Sequence, residues 1–423
     1  MKTFITTLCL CFACSLLAQT SKTLLTPSSP AAAGFSAERL TRIDKKLQEW
    51  IDAKLVKGGV AFIARDGKIV YNKAFGYADD QNTPMRTDNI FRIASQTKAI
   101  TSLAVLILME EGKIRLNDNV SKFIPEFAKP QVLEKLNMTD TTWTSVPAKR
   151  EVTIKDLLTH TSGIGYAQIG TPEAQAMYKK NKITAGLGVS GHSLLEDMKK
   201  LGKLPLLFNP GEKWMYSLGD DVLGAVIEVV SGMPLDKFMR TRIFDPLGMN
   251  DTWFYLPKEK YSRLVTLYGH DSTGMKAAKA DDFSIGEKVI PDYPKENLGY
   301  FSGGGGLSST IKDYATFLQM ILNGGTYNGK QIISRSVARM MVSNQFPAGI
   351  AEGPDFGLGF GITTAKNPDS PRNPGSFWWG GAFGTQYWVD PKEKIVALLY
   401  FNKLPLVVPA DLFEILTYQA LTD

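Results

Sequence analysis

The sequence has few of the residues that many enzyme classes need. All three cysteines lie within residues 9–14, and the only histidines are far apart, at His160, His192 and His270. Beyond residue 14 there is no thiol for a disulfide, a nucleophile or a thiolate metal site. No set of nitrogen, sulfur or carboxylate ligands has the spacing of a metal site. We therefore predict an activity that needs no metal and no cofactor.

Long apolar runs and long basic runs are also missing. No segment after the N-terminal one is apolar for long enough to cross a bilayer, which argues against a stable membrane span. The net charge of +6 is scattered, and no basic run alternates with aromatic residues, so nucleic acid is not an expected partner. There is no Gly-x-Ser-x-Gly motif of the ordinary α/β-hydrolase triad. The run Gly303–Gly306 lacks the Lys-Ser/Thr of a phosphate loop.

The N-terminus is typical of a secretory signal. Lys2 supplies a positive charge, and residues 4–17 form an apolar core. A plausible cleavage site follows Ala18. We predict a signal peptide over residues 1–18, a periplasmic or secreted protein, and a linker rich in Ser, Thr, Pro and Ala over residues 19–34. A buried N-terminal helix is the alternative.

The pattern along the chain predicts an α+β fold. Strand signals occur near both ends, in residues 59–71 and 377–400, and the part between them is mostly helices and long loops. We expect one antiparallel sheet, flanked by terminal helices, in an α/β subdomain made of residues 35–94 and 301–423. Residues 95–300 form a mostly helical subdomain, and the site lies at the interface of the two.

Ser95-Gln96-Thr97-Lys98 opens an apolar helix that continues to Met109. Residues three apart lie on one helix face, so Ser95 and Lys98 can form a nucleophile and its base without histidine. Burial and the positive end of the helix dipole both disfavour an ammonium ion, which predicts a lowered Lys98 pKa.

The same spacing occurs a second time, at Ser309-Thr310-Ile311-Lys312. Here the pattern Thr310-x-x-Asp313 after a glycine run indicates a capping box at the start of a helix. We interpret Ser309 as structural, although spacing alone does not separate it from Ser95.

Two further segments carry possible site residues. Tyr216 beside a lysine can relay a proton, or it is an ordinary half-buried aromatic residue. Trp379-Gly380-Gly381 lies on a predicted edge strand, where glycines indicate either a bulge or the close approach of a ligand. The backbone N–H groups of Ala382 and Ser95 could together form an oxyanion hole.

Ser95-x-x-Lys98, Tyr216-Ser-Leu and Trp379-Gly-Gly resemble the three ordered motifs of the serine β-lactamase and penicillin-binding-protein superfamily. The closest resemblance is to the family VIII carboxylesterases, which have a class C β-lactamase fold. It extends from about residue 35 to the C-terminus and includes four further segments: Leu157–Gly163, Pro210–Glu212, Ile243–Met249 and Gly303–Thr310.

The resemblance implies a role for each matching residue. Ser95 is the nucleophile, Lys98 its general base and Tyr216 the group that moves the proton to the leaving group or activates water. The N–H groups of Ser95 and Ala382 form the oxyanion hole, and His160 belongs to a recurrent structural turn. The implied chemistry is acyl transfer through an acyl-enzyme.

The chain departs from the β-lactamase pattern at two substrate-binding positions. Leu218 replaces the asparagine of the second motif, and Trp379 with Gly380 and Gly381 replaces the Lys-Thr-Gly that suits a substrate carboxylate. We therefore expect a small-molecule, short-chain ester as the substrate. The alternatives are a β-lactamase acting on β-lactams, a D-Ala-D-Ala carboxypeptidase or D-aminopeptidase acting on D-amino-acid peptides, and a non-catalytic binding protein on the same scaffold.

Overall fold

The computed structural model describes residues 23–167, 169–184, 186–271, 274–279, 289–346, 350, 353–406, 408–409 and 411–423. The predicted signal peptide lies outside these residues. The strands are β1 Thr26–Pro27, β2 Gly58–Arg65, β3 Lys68–Gly76, β4 Phe91–Arg92, β5 Gln131–Leu136, β6 Trp143–Pro147, β7 Tyr268–Asp271, β8 Gly274–Ala277, β9 Ser308–Ser309, β10 Thr326–Tyr327, β11 Lys330–Gln331, β12 Gly361–Ile362, β13 Phe377–Gly381, β14 Thr385–Asp390 and β15 Ile395–Tyr400. The helices are α1 Ala37–Asp52, α2 Thr97–Glu110, α3 Ile154–Leu158, α4 Pro172–Lys180, α5 Leu194–Gly202, α6 Gly219–Ser231, α7 Leu235–Met239, α8 Asp245–Leu247, α9 Ile311–Leu322, α10 Arg335–Met341 and α11 Asp411–Tyr418.

The main sheet joins the two ends of the chain. Its strand order is β1-β3-β2-β15-β14-β13-β12, and every pair is antiparallel except β1 with β3. The α+β fold with a sheet built from N- and C-terminal segments is therefore confirmed.

The first strand lies where the sequence predicts a linker. Thr26 pairs with Lys68, and Asn323 donates a hydrogen bond to the Thr23 carbonyl at 2.8 Å. Residues 23–34 are therefore attached to the sheet instead of forming a free lead-in. The linker prediction missed this because a two-residue edge strand has no periodicity of its own.

Both faces of the sheet are covered. Val60 and Phe62 of β2 point into one apolar core, and Ala61 and Ile63 point into the other, as the two-residue period of a strand requires. The terminal helices α1 and α11 pack on one face, and α9 packs on β15 and β2.

Helix α2 is the central helix of the molecule. Its residues from Thr97 to Leu108 are all buried, so the helix is surrounded by packed neighbours on every side. Helix α6 packs along it, and β13 packs against the turn before it, Ala94–Gln96. The start of α2 thus lies between the sheet and the helical part of the chain, which also contains the unpredicted hairpin β5–β6.

Candidate active site

Ser95 lies in a single 3₁₀ turn, Ala94–Gln96, that leads directly into α2. Ala94 adopts a left-handed conformation with φ of 43°, which is costly for a residue with a side chain and is often found at functional sites. Ala94 and Gln96 are buried, whereas Ser95 is partly exposed. The turn therefore presents the Ser95 hydroxyl at the N-terminal end of a helix, where the helix dipole is positive.

Lys98 is buried, with 1% of its surface exposed. Its Nζ donates a hydrogen bond to the Gly304 carbonyl at 2.5 Å and lies 4.7 Å and 5.5 Å from the ring centres of Tyr216 and Tyr166. Burial lowers the Lys98 pKa, but Tyr166, Tyr216 and the Asp220 carboxyl raise it, and the net shift is upward. The predicted fall is wrong because the sequence did not show how many negative or polarisable groups surround the amine.

Tyr216 lies directly beside Lys98, within a group of aromatic rings. Its ring stacks on Tyr166 at 5.6 Å with an angle of 10° and lies 4.8 Å from the His160 ring. Its hydroxyl is buried, and its interaction with the Lys98 amine is one of the causes that raise the Lys98 pKa. The amine and the phenol can therefore exchange a proton directly.

The neutral ring of His160 packs against the Tyr216 ring. It is buried, its Nδ1 lies 3.1 Å from the Ser217 hydroxyl, and burial together with the nearby Lys98 lowers its pKa to about 3. A neutral imidazole adds no charge to the site. This position agrees with the structural role that the resemblance implies.

Two buried acids next to Lys98 were not found from the sequence. Asp220 and Asp221 lie in the first turn of α6, are 3% and 0% exposed, and have pKa values raised by burial to about 8 and about 6, with Lys98 opposing the shift. A Cβ on Gly304 would lie 2.6 Å from Asp221 Oδ2 and 3.3 Å from Lys98 Nζ, so both groups converge on that glycine. Acidic residues in the first turn of a helix are common. The sequence pattern of Asp220 and Asp221 therefore gave no reason to assign them to the site.

Strand β13 brings the third predicted motif to the same place. A Cβ on Gly381 would lie 2.2 Å from the Ile93 carbonyl oxygen, so only glycine allows the strand to lie this close to the turn that carries Ser95. Ala382 is exposed in the turn that follows β13. The strand thus lies against the turn that leads to Ser95, and Ala382 follows it directly; that the N–H groups of Ser95 and Ala382 form an oxyanion hole stays a prediction.

Trp379 gives this edge of the site an apolar surface. Its half-buried ring lies 5.8 Å from the Tyr216 ring and 5.2 Å from the Phe356 ring. Strand β12 pairs only with Phe377 and Trp378, so the predicted edge position holds for Trp379, Gly380 and Gly381.

Two other predicted residues lie in the core. Leu218 is 0% exposed and precedes α6, so its side chain is packed in the interior; that it binds substrate stays a prediction. Ser309 is also buried, and its hydroxyl lies 2.8 Å from that of Thr252. Thr310 caps α9 by accepting a hydrogen bond from the Asp313 N–H, as its sequence pattern predicts.

Among the described residues, no three His, Cys, Asp or Glu side chains are grouped as a metal ion would need. In the same residues, no helix has the length and apolar character of a membrane span.

Comparison with known proteins identifies the family. The profile of the family described as Beta-lactamase matches residues 43–418. Esterase EstB of Burkholderia gladioli is 32% identical over 88% of this chain and 93% of its own length. An Escherichia coli protein provisionally named a D-alanyl-D-alanine carboxypeptidase is 28% identical over 90% of this chain and 86% of its own. The structure of EstCE1, described as a hydrolase with promiscuous acyltransferase activity, superposes with a TM-score of 0.78 and 26% identity over 91% of this chain and 99% of its own. The chain therefore belongs to the beta-lactamase family and is a serine hydrolase.

Proposed function

We propose that this protein is a carboxylesterase that cleaves short-chain, uncharged esters through an acyl-enzyme on Ser95. The observation that carries the proposal is Trp379, whose ring stands beside Tyr216 where β-lactamases resembling this chain have a cation. An aromatic surface favours apolar groups and offers no charge to a substrate carboxylate. Two of the relatives, EstB and EstCE1, are named as an esterase and a hydrolase.

In the proposed reaction, Ser95 Oγ attacks the ester carbonyl carbon while its proton passes to the Lys98–Tyr216 pair. In its reactive form the pair lacks one proton. After the attack, the proton from Ser95 is held by either the Lys98 amine or the Tyr216 phenol. The N–H groups of Ser95 and Ala382 stabilise the oxyanion. When the intermediate collapses, the alcohol leaves with the proton. Water then gives a proton to the pair and attacks the acyl-enzyme; as this second intermediate collapses, Ser95 Oγ leaves and takes the proton back from the pair, and the acid is released.

The rival reading is a peptidase or β-lactamase, which the name of the Escherichia coli relative supports. That reading predicts fast turnover of an anionic substrate. A non-catalytic binding protein would not need Tyr216 beside Lys98 at the start of the helix that Ser95 precedes.

We also propose that the protein is exported to the periplasm or secreted, with residues 1–18 removed as a signal peptide. The support is the sequence pattern alone. N-terminal sequencing of the protein recovered from its host should begin at Gln19, and a retained Met1 would refute export by this route.

The function is tested with p-nitrophenyl acetate, a chromogenic cephalosporin and a D-alanyl-D-alanine peptide on the protein starting at Gln19. We expect the ester to have the highest kcat/KM, Ser95→Ala to abolish its hydrolysis, and Ser309→Ala, which alters the second Ser-x-x-Lys copy, to leave it unchanged. Higher kcat/KM for the cephalosporin or the peptide would refute the esterase proposal. Full activity of a folded Ser95→Ala protein would refute the nucleophile.

A further inference from the structure

Arg92 is a fully buried cation three residues before Ser95. Its side chain is 0% exposed, and each of its three guanidinium nitrogens donates to one acceptor, on two distant segments. Nε donates to the Pro291 carbonyl at 2.6 Å, Nη1 to the Val265 carbonyl at 2.7 Å, and Nη2 to the Asp292 carboxylate at 3.2 Å.

The surroundings compensate this charge poorly. Two acceptors are neutral carbonyls, and the Asp292 side chain is 59% exposed, so water screens the one anionic partner. Burying a guanidinium is costly unless it is well paired, and a hydrophobic residue would fill the space more cheaply. Arg92 is therefore a poor choice for stabilising the fold. Its hydrogen bonds instead hold residues 291–292 and residue 265 in fixed positions.

The segments that Arg92 holds lie behind the proposed oxyanion hole. A small apolar cluster, here called the rear cluster, consists of Ala94, Leu187, Leu267, Val289, Tyr293 and Phe383. Ala94 precedes Ser95 and Phe383 follows Ala382, so both proposed N–H donors are adjacent in sequence to residues of the rear cluster. Val289 and Tyr293 flank Pro291 and Asp292, the residues that Arg92 binds.

We propose that Arg92 is a positioning residue for the reaction: by fixing residues 289–293 against the rear cluster, it sets the distance between the Ser95 and Ala382 N–H groups. The inference rests on the proposed function of that site. Ala94 already has a strained backbone, with φ of 43°, so the turn depends on its neighbours to keep its shape.

The test compares Arg92→Lys and Arg92→Met with Arg65→Lys and Arg65→Met as matched controls. Arg65 also uses its guanidinium to bind two carbonyls, those of Ala33 and Glu393, but at the end of β2 that pairs with Ile395. Lysine keeps the positive charge, but its single amine cannot reach three acceptors in the planar arrangement that the guanidinium provides. Measurements are kcat and KM for acetyl and butyryl p-nitrophenyl esters, with thermal melting to confirm folding.

We expect both Arg92 variants to lose roughly 10- to 100-fold in kcat, since about 1 Å of misplacement costs about 100-fold. KM should change less than about threefold and the loss should be equal for both esters, because every ester develops the same oxyanion. Arg65 variants should keep kcat even where they melt at a lower temperature.

Wild-type kcat in a folded Arg92→Lys or Arg92→Met protein would overturn the proposal, and so would a loss confined to KM or to one ester. If both Arg92 variants fail to fold, Val289→Ala decides, because it trims the rear cluster and leaves Arg92 intact. We expect a kcat loss of roughly three- to tenfold from that change, and an unchanged kcat would refute the positioning role. Absence of ester hydrolysis by the wild-type protein would instead refute the proposed function.

Discussion

Gly381→Ala should damage catalysis because it forces β13 away from the turn of Ser95. The new Cβ would lie 2.2 Å from the Ile93 carbonyl oxygen and 2.4 Å from Thr385 Oγ1, whereas real Cβ atoms essentially never approach other atoms closer than 3.0 Å. The strand and the turn must therefore separate by about 0.8 Å or more at this point, given how little a packed interior yields.

That separation acts directly on the proposed oxyanion hole. Ala382 follows the substituted residue and moves with it, so its N–H is displaced from the oxyanion. We expect kcat to fall about 100-fold, as for a misplacement near 1 Å, and the free energy of unfolding to fall by about 1–3 kcal/mol from overpacking.

Gly380→Ala is the matched comparison, one residue earlier on the same strand. Its Cβ would meet only the Thr385 carbonyl oxygen, at 3.3 Å, which requires a shift of a few tenths of an ångström. We expect a kcat loss of less than about fivefold, measured with p-nitrophenyl acetate, alongside urea unfolding of both variants. Equal kcat in the two variants would show that the contact of Gly381 with Ile93 does not set the geometry of the site.

Three further predictions concern Lys98, Ser309 and Asp220. Lys98→Met should lower kcat by about 10²–10⁴-fold, the usual contribution of acid–base catalysis, and a loss below tenfold in steady-state assays would point to another base. Ser309→Ala should cost about 1 kcal/mol by removing the hydrogen bond to Thr252 while kcat/KM stays within about twofold; a large activity loss would mean that the second Ser-x-x-Lys copy takes part. The folded-state pKa of Asp220 is raised from 3.8 to about 8, so its contribution to stability is full below pH 3.8 and is lost as the pH rises to about 8. The free energy of unfolding of Asp220→Asn, relative to that of the wild type, should therefore increase between about pH 5 and about pH 8, measured by urea unfolding at each pH. A difference in unfolding free energy that does not change with pH would contradict the raised pKa.

Much of the fold was accessible from local patterns. The terminal helices, the strand signals near both ends and the capping of α9 by Thr310 each depend on residues close in sequence. Local spacing also selects Ser95 and Lys98 as candidates, since residues three apart share a helix face whatever the rest of the chain does. The short strand β1 and the hairpin β5–β6 were missed because their patterns are too brief or too irregular to stand out.

The sequence by itself determined the family, the α+β fold and the identity of the candidate nucleophile and its lysine. Only the tertiary structure decided how these groups are tuned. Tyr166, Tyr216 and the Asp220 carboxyl reach Lys98 from more than 60 positions away, and they reverse the pKa shift that burial and the helix dipole predict for it. The burial of Leu218 and the contact between Gly381 and Ile93 are likewise products of packing. Electrostatic and steric effects act through space over a few ångströms, and the spacing of residues along a chain does not reveal those distances.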